Sequence, residues 1–202
     1  MKPPLEYNIE PYLEWILNCQ LGERAEIENM LESGYDINTT DDDGFSGLYH
    51  AIDEEQFETG LYLIEHGINL EIIDLKAACN KESREIVKRI IYDLELVGKQ
   101  DINEVFLDFV FLCSYEFLVW YVNEFSPDVN YVENKELTAI SEVATNGALK
   151  KFRFLLECGA DVKLKGSNGL NTIEWCEEIN TNNHLKEIIK EIKTATNKTY
   201  KQ

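Results

Sequence analysis

Apolar positions along the chain recur as pairs of short helical stripes separated by polar turns. In residues 41–69, DDDGFSGLYHAIDEEQFETGLYLIEHGIN, Leu48, Ala51 and Ile52 fall on one face of a short helix. An acidic turn, Asp53-Glu54-Glu55, follows. Phe57, Leu61, Leu63 and Ile64 then mark a second stripe, and His66-Gly67 supplies a stop at which glycine can take a positive φ. The pattern predicts helix, turn, helix, loop. Its closing phrase stands at Gly34 in LESGYDIN and at Gly67 in IEHGINL, 33 residues apart, and again at Gly159 in LLECGADVK.

Along the whole chain this unit predicts six copies, over residues 5–38, 41–70, 71–103, 104–130, 131–163 and 164–194. In the first, Trp15, Ile16 and Cys19 face inward from one helix and Ile27, Met30 and Leu31 from the next, with Gly22 in the turn. Pro3, Pro4 and Pro11 keep the lead-in out of helix until Tyr12, and Pro11 sits where a first-turn proline is tolerated. The third copy is irregular. Residues 94–101 are added where a glycine stop is expected, either a plain loop extension or a functional protrusion, and Asp101-Ile102-Asn103 is read as the loop phrase that ends the copy. The fourth is apolar on most sides, from Val105 to Leu112 and from Phe117 to Val122, as a buried pair of helices requires. The sixth carries Lys186, Glu187, Lys190, Glu191 and Lys193 on its second helix, the polar outer face of a terminal cap. Residues 195–202 read as a polar, frayed tail.

The 33-residue period, with Ser46-Gly47-Leu48-Tyr49-His50-Ala51 standing for the phrase T-P-L-H-x-A, resembles the ankyrin repeat. Leu48 and Ala51 are kept, while the Thr, Pro and His of the phrase are altered. Thr138-Ala139-Ile140-Ser141-Glu142-Val143-Ala144 tracks it best. The resemblance implies an all-α solenoid of about six helix-turn-helix repeats forming one array over residues 1–194, with the third and fourth irregular. It also implies that loop tips and the exposed edge of each first helix line a binding surface. Carried onto the second repeat, those positions are Asp42, Asp43, Phe45, Asp53 and Glu54. The corresponding positions in the fifth are Asn134, Lys135, Leu137, Thr145 and Asn146, and in the sixth Ser167, Asn168, Leu170, Glu178 and Ile179.

Charge gives this surface a direction. The chain carries a net −19, and residues 1–70 alone hold 16 acidic and 2 basic residues. Residues 148–202 are net positive, with 10 basic and 7 acidic residues. Such a field repels a phosphate backbone, so direct nucleic-acid binding is excluded and a basic protein partner is favoured. Four carboxylates around Phe45 form an acidic cup with an apolar anchor, suited to steering and then holding a Lys- or Arg-rich surface. The Asp41-Asp42-Asp43 run otherwise reads as a solvated loop tip, since it lacks the alternating ligands and closing Glu of a calcium loop.

Signs of catalysis or cofactor binding are lacking. His50, His66 and His184 lie in separate copies, and Gly44-Phe45-Ser46-Gly47 lacks the lysine of a phosphate loop. Cys19, Cys79, Cys113, Cys158 and Cys176 are scattered, without a C-x-x-C pair, as reduced small hydrophobes of a cytoplasmic protein would be. The most apolar stretch, residues 105–122, is broken by Asp108, Ser114 and Glu116, which excludes a membrane span. No secretory signal is read at the start. The expectation is a non-catalytic protein-binding module, monomeric alone and without metal or cofactor. It resembles small bacterial ankyrin proteins that act as immunity proteins against a basic toxin such as a nuclease. The alternatives are an adaptor or effector that docks on a host protein, and an enzyme with its site in residues 94–101.

Overall fold

A computed structural model describes residues 10–132, 137–179 and 185–198, the last four as helix backbone. Among the described residues all regular structure is helical, apart from one isolated antiparallel bridge between Thr40 and Ser46. Two compact units divide at Leu94 and Glu95.

The first unit holds α1 (Pro11–Leu21), α2 (Arg24–Glu32), α3 (Gly47–Asp53), α4 (Phe57–Glu65), α5 (Ile72–Asn80) and α6 (Arg84–Asp93). Pro11 opens α1 as predicted, and Gly22 closes it at φ 70°, a left-handed conformation that costs glycine nothing. Ser46 caps α3 by accepting the Tyr49 N–H at 3.0 Å, and Glu71 and Asp74 form a reciprocal capping box on α5. Each odd-numbered helix packs on the next, α1 on α3 and α3 on α5, with its partner helix laid behind it. Trp15, Cys19, Ile27, Leu48, Ile52, Leu63, Leu75, Ile86 and Ile90 fill the core. Met30 and Leu31, predicted to face inward, are half-buried.

The second unit holds α7 (Gln100–Phe109), α8 (Tyr115–Phe125), α9 (Ala139–Thr145), α10 (Leu149–Glu157), α11 (Thr172–Ile179) and α12 (Lys186–Lys198). The apolar fourth repeat becomes an aromatic cluster. Phe109 meets Phe117 at 5.5 Å and Tyr121 at 4.8 Å between ring centroids, and the Tyr121 hydroxyl donates to the Ile102 carbonyl. Burial is not complete there, for Leu112 is exposed and Phe111 and Trp120 are half-buried.

Two boundaries differ from the sequence reading. Residues 101–103 lie in the first turn of α7 and not in a closing loop. Yet Asn103 still does the work of the loop asparagine: its Oδ1 accepts the Asp128 N–H at 2.8 Å, as Asn38 accepts that of Asn69 and Asn130 that of Asp161. Helix α12 also continues to Lys198, past the predicted end at 194, since Thr194 to Lys198 contains neither Gly nor Pro to stop it.

Candidate functional site

The acidic tip before α3 is organised by a residue outside the predicted set. Asp41 accepts the backbone N–H groups of Asp43 at 3.0 Å and Phe45 at 2.9 Å, and its other oxygen lies 2.7 Å from His50 Nε2. His50 Nδ1 lies 3.2 Å from Gln20 Nε2. A neutral imidazole that donates from Nε2 to Asp41 and accepts at Nδ1 from Gln20 satisfies both contacts. Burial alone raises the Asp41 carboxyl, but the His50 contact and the two backbone N–H groups outweigh it and hold the group below the usual carboxylate range.

This frame pushes Asp42 and Asp43 outward, where both are exposed. Asp42 also accepts the Tyr12 hydroxyl at 3.2 Å, tying the tip to α1. Phe45 stacks on Tyr49 with centroids 4.3 Å apart and is half-buried, so part of the ring remains available as an apolar contact. Asp42, Asp43 and Phe45 therefore converge. Asp53 and Glu54 do not join them. They sit at the far end of α3, about 12 Å along the helix from Phe45 at 1.5 Å per residue, and Asp53 pairs with Lys81 at 3.3 Å. The predicted five thus fall into two groups, Asp42, Asp43 and Phe45 at the tip and Asp53 and Glu54 at the other end of α3.

Composition hid Asp41, Tyr12 and His50 because the sequence shows only three consecutive aspartates and scattered partners. The signal that could have found Asp41 is its place four residues before Phe45 with Gly44 between, the pattern of an aspartate-capped turn. The sixth repeat repeats the loop geometry: Gly166 N–H donates to the Leu170 carbonyl at 3.2 Å, as Asp41 N–H does to that of Phe45 at 3.0 Å. A glycine stands there in place of the organising carboxylate. In the fifth repeat, Thr145 Oγ1 and Asn146 Nδ2 both donate to the Glu142 carbonyl, so those two predicted positions serve the helix end. Asn134, Lys135 and His184 lie outside the described residues.

His66 is tied by Nδ1 to the Tyr62 carbonyl at 2.8 Å, with its ring 3.8 Å from that of Tyr62. All five cysteines are free, and burial pushes the Cys19 thiol up to about 12 and the Cys176 thiol up to about 11. Among the described residues no group of three His, Cys, Asp or Glu is placed to hold a metal, and no helix is long and apolar enough to cross a membrane.

Paired helices repeated with loop asparagines that clasp the next loop define a helical-repeat protein. The fold is that of ankyrin repeats. No family model matches the chain, and no curated protein matches it. Solved structures do. An ankyrin repeat domain from Acinetobacter baumannii superposes with a TM-score of 0.68 at 18% identity, covering 91% of this chain and 97% of its own. A chain from the complex of the predatory endopeptidase Bd0816 of Bdellovibrio bacteriovorus with the immunity protein Bd3460 superposes at 0.69 and 19%, covering 87% and 96%. The ankyrin repeat domain of Bcl-3, a member of the IkappaB protein family, does so at 0.69 and 14%, covering 93% and 86%.

Proposed function

We propose that this protein is a non-catalytic binding module that captures a basic protein through the acidic surface of its first unit and thereby blocks that protein's activity, as an immunity protein does. The observation that carries the reading is the Asp41 frame, which spends one carboxylate on folding the tip so that Asp42, Asp43 and Phe45 are presented together to solvent. Exposed carboxylates on an ordered loop accelerate encounter with a basic partner, and the half-buried aromatic supplies contact area once docked. The net charge of −14 over residues 1–70 extends the attraction beyond the tip. The structural likeness to a chain of the endopeptidase and immunity-protein complex supports the immunity role.

The test is affinity capture from the native cell with low- and high-salt washes, run in parallel with the Asp42→Lys/Asp43→Lys variant. A basic protein that is released by salt, is absent from the variant and loses its activity when bound is the expected result. A partner held equally by the variant moves the site elsewhere, and a bound partner that stays active leaves a docking adaptor in place of an inhibitor.

A further inference from the structure

Helix α1 is the first helix of the first unit, and one of its faces is uncovered. Leu13, Leu17 and Leu21 are 46, 43 and 58% exposed. Their spacing of four puts them on one face, a ladder about 12 Å long at 1.5 Å per residue. Trp15, Ile16 and Cys19 take the opposite face into the core. The solvent-facing side of a helix is ordinarily polar, so three aligned, exposed leucines there mark a candidate interaction surface.

Carboxylates border the ladder on both flanks. Glu10 and Glu14, each three residues ahead of a ladder leucine, are exposed on one side. On the other, Gln20 reaches His50 and the Tyr12 hydroxyl reaches Asp42, which draws the acidic tip alongside α1. Helix α1 itself contains no Lys, Arg or His. An apolar strip between two acidic edges is complementary to a helix whose apolar stripe is edged with Lys and Arg. A second copy of this chain would bring like charges together, because its own first 70 residues hold 16 acidic and 2 basic residues.

Building on the reading that the acidic surface binds a basic protein, we infer that the α1 leucine ladder is the apolar anchor of that interface and receives a basic amphipathic helix of the partner. The tip then supplies the larger, salt-sensitive share of the affinity, and the ladder a smaller share that salt does not screen.

The probe is a dye-labelled peptide of about 14 residues, long enough to span the ladder as a helix, with leucines on one face and lysines and arginines beside them. A scrambled peptide of identical composition is the control, and fluorescence anisotropy on the full chain is the readout. The amphipathic peptide should bind at least about tenfold tighter than the scrambled one. Leu17→Gln should abolish that preference, leave the salt-dependent component intact and leave the melting temperature unchanged. Equal binding of the two peptides, or a preference that survives Leu17→Gln, overturns the inference. If Asp42→Lys/Asp43→Lys weakens both peptides while Leu17→Gln changes nothing, the acidic surface stands and the ladder falls; if neither variant matters, both fall. A marked drop in melting temperature on Leu17→Gln, or its conversion of a dimer to a monomer in sedimentation, would mean that the chain's own residues or a second copy cover the ladder, which also overturns it.

Discussion

The Ser46 hydroxyl donates to the Asp74 carboxylate at 3.2 Å, joining the N-terminus of α3 to that of α5 across 28 residues of sequence. Asp74 is 1% exposed, and its other oxygen accepts the Glu71 N–H at 2.9 Å. Burial pushes the carboxyl up from 3.8 to about 6, although the Glu71 N–H and the Ser46 hydroxyl pull the other way. Because the folded value is the higher one, the native state binds the proton more tightly. The contribution is favourable at low pH and is lost as pH rises from about 4 through 6. Asp74→Asn keeps an acceptor without the charge. Relative to the parent it should gain on the order of 1–3 kcal/mol between pH 4.5 and pH 7.5 in urea unfolding. A difference that is constant with pH would show that the buried carboxylate ionises without penalty.

Gly47 permits the close approach of α1 to α3. A Cβ there would lie 2.7 Å from Cys19 Sγ and 2.8 Å from Trp15 Nε1. Gly47→Ala should therefore destabilise by about 1–3 kcal/mol through overpacking. Adding Cys19→Ala should recover part of the loss, a coupling that only contact between the two sites produces. Additive effects in thermal unfolding would mean that the helices separate freely.

Glu55 holds φ 59° in the turn after α3, where Gly22 and Gly147 occupy the matching turns at 70° and 71°. A left-handed backbone costs a residue with a side chain about 1–2 kcal/mol, and glycine recovers part of that after its own entropy loss. Glu55→Gly should thus stabilise by about 0.5–1 kcal/mol, read as a raised urea midpoint. The glutamate is exposed and adjoins Asp53 and Glu54, so it adds a carboxylate to that end of α3. Under the proposed function the same variant should associate more slowly with the basic partner. Unchanged association would mean that Glu55 lies outside the steering field.

The helix pairs were legible in the sequence because their apolar stripes recur at helical spacing, and Pro11, Gly22 and Gly159 mark ends that the structure keeps. Residues 101–103 misled because Asp-Ile-Asn serves equally as a loop phrase and as the opening turn of a helix, and local pattern does not say which side of the boundary it falls on. The candidate site was legible in composition but not in arrangement. Nothing in three consecutive aspartates distinguishes Asp41, which folds the loop, from Asp42 and Asp43, which face solvent. The helix between Phe45 and Glu54 was legible as an apolar stripe, but reading the five positions as one cup ignored the length that this helix puts between them. The exposed ladder of α1 was hidden for a different reason: leucines at helical spacing look like core, and only the structure shows Leu13, Leu17 and Leu21 exposed.

Lys151 lies in the core of the second unit. Its Nζ donates to the Val110 carbonyl at 3.1 Å and the Phe111 carbonyl at 2.9 Å, just beyond the end of α7. The ammonium thus both satisfies groups left over at a helix C-terminus and sits at the negative end of its dipole. Lys151→Met preserves most of the packing but deprives both carbonyls of this donor, and should cost about 1–3 kcal/mol. Hydrogen exchange should quicken in α7 and α10 together. A loss confined to α10 would show that the lysine does not fasten the two.

The acidic tip should open from the acid side, opposite in sign to Asp74. Asp41 has a folded value below its unfolded one, so its contribution is present above the ordinary carboxylate range and is lost as pH falls through the lowered value. Protonation removes the acceptor that three donors share: the Asp43 and Phe45 N–H groups and His50 Nε2. Asp41→Ala imitates that state at neutral pH. The loss of even one net hydrogen bond, about 1 kcal/mol, should accelerate exchange of the Asp43 and Phe45 amides about fivefold. The Phe45 ring resonances should shift as its stacking on Tyr49 loosens, while amides in α4 and α6 stay protected. Association with a basic partner should slow even though Asp42 and Asp43 are untouched, since they would no longer be held in one direction. Full association rate in Asp41→Ala, alongside fast exchange at Phe45, would show that the charge of the tip suffices and its order does not.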